Sequence, residues 1–390
     1  MNRKGSAWSA ALETLEFLEK NKVKGYVIGG AVRDTILSRE IEDIDIVLEG
    51  APDIVWSLFP HAVQPSSSFP VFIVPRHGYV FEITTFHPDK ESLQMNLEHR
   101  DFTMNAMTVE ISGNLIDPYG GQSDINRRLI RSVSSPLQRM KEDPLRKLRA
   151  FRFVSEFNFS LEESTWQAVC ADGIGLQDTA KERIQREIEK ILEGKACSRA
   201  LELLLASGVI SDFPDSIKPE YILTNQKSPE LEDFSTIEEK WAVFFFLLYS
   251  EQACCFVNSW PIKKRIRSRI HYIIKMCTAN PGGVNWDTEM VYQNGWRTAI
   301  QIETVSQWLT GVQDNKRLEH ILNLAQSLPI VSRDDLQVDG RDIVRQHPCL
   351  PGRWIGYLLD YLEEEVLYGR TANKRDELLS LVKEKLSHER

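Results

Sequence analysis

The chain has 390 residues, 42% apolar and 26% charged, with a formal net charge of −9. This length is too great for one small core and sets an expectation of two to four domains. The six scattered cysteines (Cys170, Cys197, Cys254, Cys255, Cys277, Cys349) form no CxxC or Cys/His cluster. A disulfide framework and a structural zinc are therefore not expected, and reduced thiols in a cytoplasmic protein are.

Residues 1–22 read as an amphipathic helix rather than a signal peptide, because Glu13 and Glu16 interrupt the apolar pattern. KGYVIGG (24–30) reads as a strand entering a tight turn, AVRDTILSRE (31–40) as a short helix and DIDIVLEG (43–50) as a second strand. FPVFIVPR and YVFEITTF read as a hairpin turning at His77-Gly78, and AMTVEISG (106–113) as a further strand. After Ser134 apolar residues recur three and four apart to the end of the chain, as in DPLRKLRAFRFVSEF, KERIQREIEKIL and IEEKWAVFFFLLYS. The expected architecture is an α/β head (1–134), then an all-α neck (135–195), body (196–330) and tail (331–390). Polar loops near 213–235 and 278–286 are expected to mark joints. No apolar run reads as long enough to span a bilayer, so no membrane partner is expected.

The segment GGAVRDTILSREIEDID (Gly29–Asp45) carries the chemistry. Carboxylates at i and i+2 of a strand share a face, so Asp43 and Asp45 are expected side by side. Like charges at that spacing repel unless a cation lies between them. Oxygen-only ligands favour magnesium, which takes one or two carboxylates together with substrate phosphates. Gly29 and Gly30 offer backbone N–H groups where a triphosphate could lie. Glu82, in YVFEITTF, is a third carboxylate that could complete the ligand set. Singly, a DxD or a GG turn is more often a strand end or an ordinary turn; the conjunction is more specific and resembles the nucleotidyltransferase signature of the DNA polymerase β superfamily.

Further stretches narrow the resemblance. HRDFTMNAM (His99–Met107), DPYGGQSDINRRLIRSV, EDPLRKLRAFRF and KERIQREIEKIL follow in order. Together with GGAVRD…DID they resemble the class II tRNA nucleotidyltransferases: CCA-adding enzymes, their CC-adding and A-adding relatives, and bacterial poly(A) polymerases. The resemblance implies a polymerase β-like head, two Mg2+ ions on Asp43 and Asp45, CTP with or without ATP as substrate, and the tRNA acceptor arm as partner; Glu82, from its place on the neighbouring strand, is kept as a further catalytic carboxylate. It implies no stable protein partner, the chain acting as monomer or homodimer. His99, Arg100 and Asp101 occupy the family's Arg-Arg-Asp motif for the ribose, with the first arginine replaced by histidine. Glu142, Asp143 and Arg146 occupy the base-reading motif. Asp accepts from an exocyclic amine and Arg donates to a ring nitrogen or carbonyl. That pair favours C and A, and its spacing of three would put both on one helix face. Gly29, Gly30, Arg33, Asn105, Arg149 and Arg152 are added as nucleotide-binding candidates, whereas Arg183 and Glu187 are expected to brace the neck.

Between Phe86 and Arg100 lies only HPDKESLQMNLEH. CCA-making members resemble this region but carry a longer insert, which helps reshape the base pocket from C to A. Its shortness implies a CC-adding enzyme, with a separate A-adding enzyme completing the end. Full CCA addition ranks next, then A addition or poly(A) synthesis, then a non-catalytic RNA-binding protein. The acidic average disfavours phosphate binding, so RNA would have to meet basic patches such as INRRLIRSV, LRKLRAFRF and PIKKRIRSRIHYIIK. Within the last, Lys263, Lys264, Arg265, Arg267 and Arg269 are tRNA-contact candidates, against the alternative of a solvated helix face.

Overall fold

The computed structural model describes residues 6–65, 71–213 and 231–388. It divides into two compact units, Met1–Pro219 and Glu220–Arg390. The division falls among residues 214–230, which lie outside the described ones, as does most of the joint expected at 213–235. The second expected joint, 278–286, is internal to the second unit.

The first unit opens with α1 (Ala7–Lys20), capped by Ser6, whose side chain accepts from Ser9 N. Then come β1 (Gly25–Ile28), α2 (Gly30–Ile36), β2 (Ile44–Glu49), α3 (Asp53–Leu58), β3 (Val71–Arg76), β4 (Tyr79–Phe86), α4 (Leu93–Glu98), β5 (Thr108–Val109), β6 (Leu115–Ile116) and α5 (Gly121–Asn126). The six strands form one mixed sheet in the order β3-β4-β2-β1-β5-β6. The central contact, β2 with β4, is parallel and sets Asp45 opposite Glu82. β1 runs antiparallel to β2 and β5. At one edge β3 carries Pro75, which has no N–H to offer, and Val63 bridges to Ile73. One apolar cluster joins Tyr26, Ile28, Val47, Phe86, Leu97, Ala106 and Val133, with Leu93, Ile116 and Tyr119 packed on it.

Two elements are shorter than their patterns suggest. α2 stops at Ile36, and Ser38 takes a left-handed backbone (φ 54). β5 is only Thr108–Val109, because the chain turns back directly after it, with Gly113 N donating to Glu110 O at 2.9 Å.

The helices α6 (Pro136–Glu142), α7 (Leu145–Phe157), α8 (Glu163–Val169), α9 (Lys181–Glu193) and α10 (Cys197–Ala206) complete the first unit, with a two-stranded parallel pairing of β7 (Leu129–Ile130) and β8 (Ser160–Leu161). α7 packs against both α9 and α10, so the expected neck–body boundary at 195/196 falls inside this unit.

The second unit holds α11 (Ile237–Tyr249), α12 (Ala253–Phe256), α13 (Lys264–Ala279), α14 (Thr288–Asn294), α15 (Trp296–Thr310), α16 (Asn315–Ser327), α17 (Gly340–Gln346), α18 (Gly352–Leu367) and α19 (Arg375–His388). α11 begins with a reciprocal capping box between Thr236 and Glu239. The stretch Ile237–Ser259 is long and apolar enough to cross a membrane by length and composition, contrary to the sequence expectation. Here it supplies a core: the backbone breaks at Ser250 (φ 48), and Trp241, Phe244 and Phe245 pack on Trp260. A separate cluster of Ile330, Leu336, Val338, Ile343, Leu358, Leu362, Val366, Leu378 and Val382 gives residues 330–382 their own core. All six cysteines are free.

Candidate active site

The first unit contains a cleft of ≈ 820 Å³, within the size range of small-molecule sites. One wall is the turn from β1 into α2. Gly29 has φ 73 and ψ −126, which a side chain would strain, and a Cβ there would come within 3.3 Å of Asp45 Oδ2 and 3.4 Å of Arg100 Nη1. The bare backbone lets the bend lie against the carboxylate. Gly29 N–H itself is taken by Met107 O at 3.1 Å. The amides left to meet an anion are those of the first turn of α2, which lack intrahelical partners.

Asp45, Asp43 and Glu82 all line the cleft. Asp43 is exposed and lies just ahead of β2 rather than within it. Burial pushes the Asp45 carboxyl up to about 6; Glu82 and Asp43 add to the rise, while Arg100 and Arg33 oppose it. Among the described residues no three His, Cys, Asp or Glu side chains gather into a metal-holding group. Glu82 stands in register with Asp45 across β2 and β4 and lines the same cleft. Two oxygen donors beside a phosphate-sized bend still suit magnesium, whose remaining positions go to water and phosphate.

The segment Arg100–Asn105 adjoins this turn, and α7 supplies further lining. Asp101 is buried: its Oδ1 accepts from Phe102 N (2.7 Å) and Asn105 Nδ2 (3.0 Å), and its Oδ2 pairs with Arg149 Nη2 at 2.5 Å. Burial alone would raise its carboxyl, but Arg149, Asn105 and the Phe102 N–H hold it below the usual range. Asp101 in turn raises the Arg149 guanidinium above its ordinary value. Arg33 forks onto both Asp34 oxygens at 2.9 Å, donates to Asn105 Oδ1 at 2.8 Å and lies 4.8 Å from the Phe157 ring centre. Arg152 binds both Glu187 oxygens (3.1 and 3.0 Å) and stacks 4.3 Å from the Phe153 ring centre.

Asp143 occupies the extended break between α6 and α7. Its Oδ1 accepts from Leu145 N (3.1 Å) and its Oδ2 from Arg183 Nη2 (3.0 Å). Asp143 and Arg146 therefore line one cleft without sharing a helix. Arg183 pairs with Asp143 and Glu187 with Arg152, two ties from α9 to α7 and its approach that hold the neck helices together. Glu142 is exposed and does not line the cleft; it accepts from Arg139 (2.6 Å) and Arg146 (3.1 Å).

Every other nucleotide candidate lines the cleft: Gly29, Gly30, Arg33, Arg100, Asp101, Asn105, Asp143, Arg146, Arg149 and Arg152. Sequence reasoning missed Arg39, Glu156 and Lys190, which also line it. Arg39 pairs with Glu156 at 3.0 Å. Only Glu156 had a sequence signal, in helical phase: it follows Arg149 and Arg152 at intervals of three and four along α7. The basic candidates Lys263, Lys264, Arg265, Arg267 and Arg269 belong to the second unit, at the start of α13; all are exposed except the half-buried Arg267.

Three comparisons bear on this geometry. Residues 25–131 match the family described as the poly A polymerase head domain, residues 158–216 a probable RNA- and SrmB-binding site of polymerase A, and residues 232–382 a putative tRNA nucleotidyltransferase domain 2. A CCA-adding enzyme of Geobacillus sp. (strain WCH70) is 32% identical over 94% of this chain and 95% of its own length. The crystal structure of a Bacillus stearothermophilus CCA-adding enzyme in complex with CTP superposes with a TM-score of 0.82 at 30% identity, covering 98% of both chains. A Thermotoga maritima CCA-adding enzyme complexed with tRNA, 22% identical with a TM-score of 0.67 over 99% of this chain and 96% of its own, shares the fold. The chain thus belongs, over nearly its whole length, to the class II tRNA nucleotidyltransferases, the family of the CCA-adding enzymes.

Proposed function

We propose that this tRNA nucleotidyltransferase adds two cytidylates, and not the terminal adenylate, to tRNA 3′ ends. One observation carries the reading. The link from β4 to Arg100 runs only through His87–His99 and is fastened rather than free. Its second half is α4, capped by Ser92 Oγ accepting from Met95 N, with Leu97 fully buried and Leu93 packed on the head core. A pocket lever has to swing to convert C reading into A reading; a short helix pinned to the core is a poor lever.

In this reading Asp43 and Asp45 hold the magnesium ions, which when bound offset charge on the triphosphate and the attacking oxygen. The first-turn amides of α2 and Arg100 position the phosphates, and Asp101 and Asn105 orient the ribose side. Asp143 accepts from the cytosine amine and Arg146 donates to its ring edge, so protein side chains stand in for a template. The tRNA 3′-OH loses its proton to solvent and its oxygen bonds to the α-phosphorus of CTP. The bond to the β-phosphate oxygen breaks, and pyrophosphate leaves. Lys263, Lys264, Arg265, Arg267 and Arg269 meet tRNA phosphates.

Full CCA addition is the second reading, favoured because relatives at 31–32% identity bear the name CCA-adding enzyme. Two tRNA transcripts separate them, one lacking CCA and one ending in CC, each offered CTP, ATP or both. The CC reading expects two cytidines on the first and no extension of the second. Adenosine on the CC-ended transcript would overturn it.

A further inference from the structure

We propose that His99 is a positioning residue for base selection, closing a ring of hydrogen bonds that fixes Arg146 at the cleft; this rests on Arg146 reading the base. Arg139 Nη1 meets His99 Nδ1 at 3.3 Å and donates to Glu98 O at 2.9 Å. Arg139 Nη2 donates to Glu142 Oε1 at 2.6 Å, and Glu142 Oε2 accepts from Arg146 Nη1 at 3.1 Å. Arg146 Nη2 donates to His99 O at 2.6 Å, which returns to the starting residue. The ring ties the end of α4 to the break between α6 and α7, and Arg139 within it is buried.

A guanidinium only donates. Facing Arg139, Nδ1 of His99 is placed to accept, which leaves Nε2 as the ring's donor. An arginine at this position, as in the family motif, could not accept and would set a second cation against Arg139. The histidine is thus the side-chain type that lets the ring close. The ring also assigns work to Glu142, which lies outside the cleft yet holds both arginines. With charged groups at three of its four corners, its hydrogen bonds are charge-assisted.

Isosteric variants test this. Asn places an amide oxygen near where Nδ1 stands, and Gln places one near Nε2. The readout is the ratio of kcat/KM for CTP over UTP on tRNA lacking CCA, a ratio defined whether or not the enzyme also adds A. His99→Ala, His99→Gln and His99→Arg are expected to lower it on the order of tenfold, the scale of one lost hydrogen bond to a charged group. His99→Asn is expected to stay within about threefold of the wild type. Retention by His99→Gln with loss in His99→Asn would overturn the ring, because it would make Nε2 the working atom. Arg146→Ala is measured alongside. If it lowers the ratio while His99→Ala does not, the positioning role alone falls. If Arg146→Ala leaves the ratio unchanged, base reading and positioning fall together.

Discussion

The site turns on carboxylates whose neighbours decide what they can do. Asp45 and Asp43 crowd one another with Glu82 close by, and burial denies Asp45 the solvent that would screen it. Asp43→Ala and Asp45→Ala should each cut incorporation by on the order of a hundredfold or more, while tRNA binding in a filter assay holds. Retained turnover would remove the metal assignment. Asp101 is the opposite case, an acid held ionised by Arg149. Its carboxyl lies below the unfolded value of about 4. The pairing therefore stabilises fully above that pH and is lost as pH falls through the lower folded value. Asp101→Asn should cost about 2–3 kcal/mol at pH 7, since it strands a partly buried guanidinium. The gap from wild type should narrow toward pH 3 in urea melts; a pH-independent gap would show that the ion pair is not its origin.

Among the elements, the β1–α2–β2 unit was legible because alternation, a glycine pair and the acid pair coincide within a short window. Its partners were not. Nothing local says that β2 runs parallel to β4, yet that register sets Glu82 beside Asp45. Spacing on α9 marked Arg183 and Glu187 as bracing residues, but not their partners across the helix pair, Asp143 and Arg152. The extent of β5 was misread because Gly113 takes a left-handed backbone and turns the chain back after Val109. Ahead of β5, Thr103 is held by a 2.6 Å bond to the buried Asp124, and the turn there brings Asn105 to Arg33. The start of α13 yields a prediction of its own kind. Lys264 and Arg265 are exposed in its first turn, where the helix dipole is positive, so they destabilise it by a few tenths of a kcal/mol each. Replacing both by Ala should slightly raise thermal stability yet weaken tRNA binding, with the salt slope of log Kd reduced by about one per lost phosphate contact. Unchanged affinity would make this an ordinary solvated face.

At the scale of the molecule, the whole cleft is built by Met1–Pro219, while residues 330–382 carry a core of their own. CTP with magnesium should slow hydrogen exchange in α2, β2 and α7, and leave α16 to α19 at their unliganded rates. Equal protection of both units would mean that nucleotide binding reshapes the entire chain. The two-unit division itself was only partly legible, because the helical periodicity is continuous from α6 to α19 and does not record which helices share a core. Tertiary packing puts α10 with α7, across the boundary that the sequence suggested.

The borders of the head sheet carry one more consequence. On one side β3 holds Pro75 and is bridged by Val63; on the other β6 is only Leu115–Ile116. A second chain seeking to extend the ladder finds a missing donor at one rim and almost no length at the other. Both rims of the folded head are thus blunted against strand-by-strand fibrillar growth.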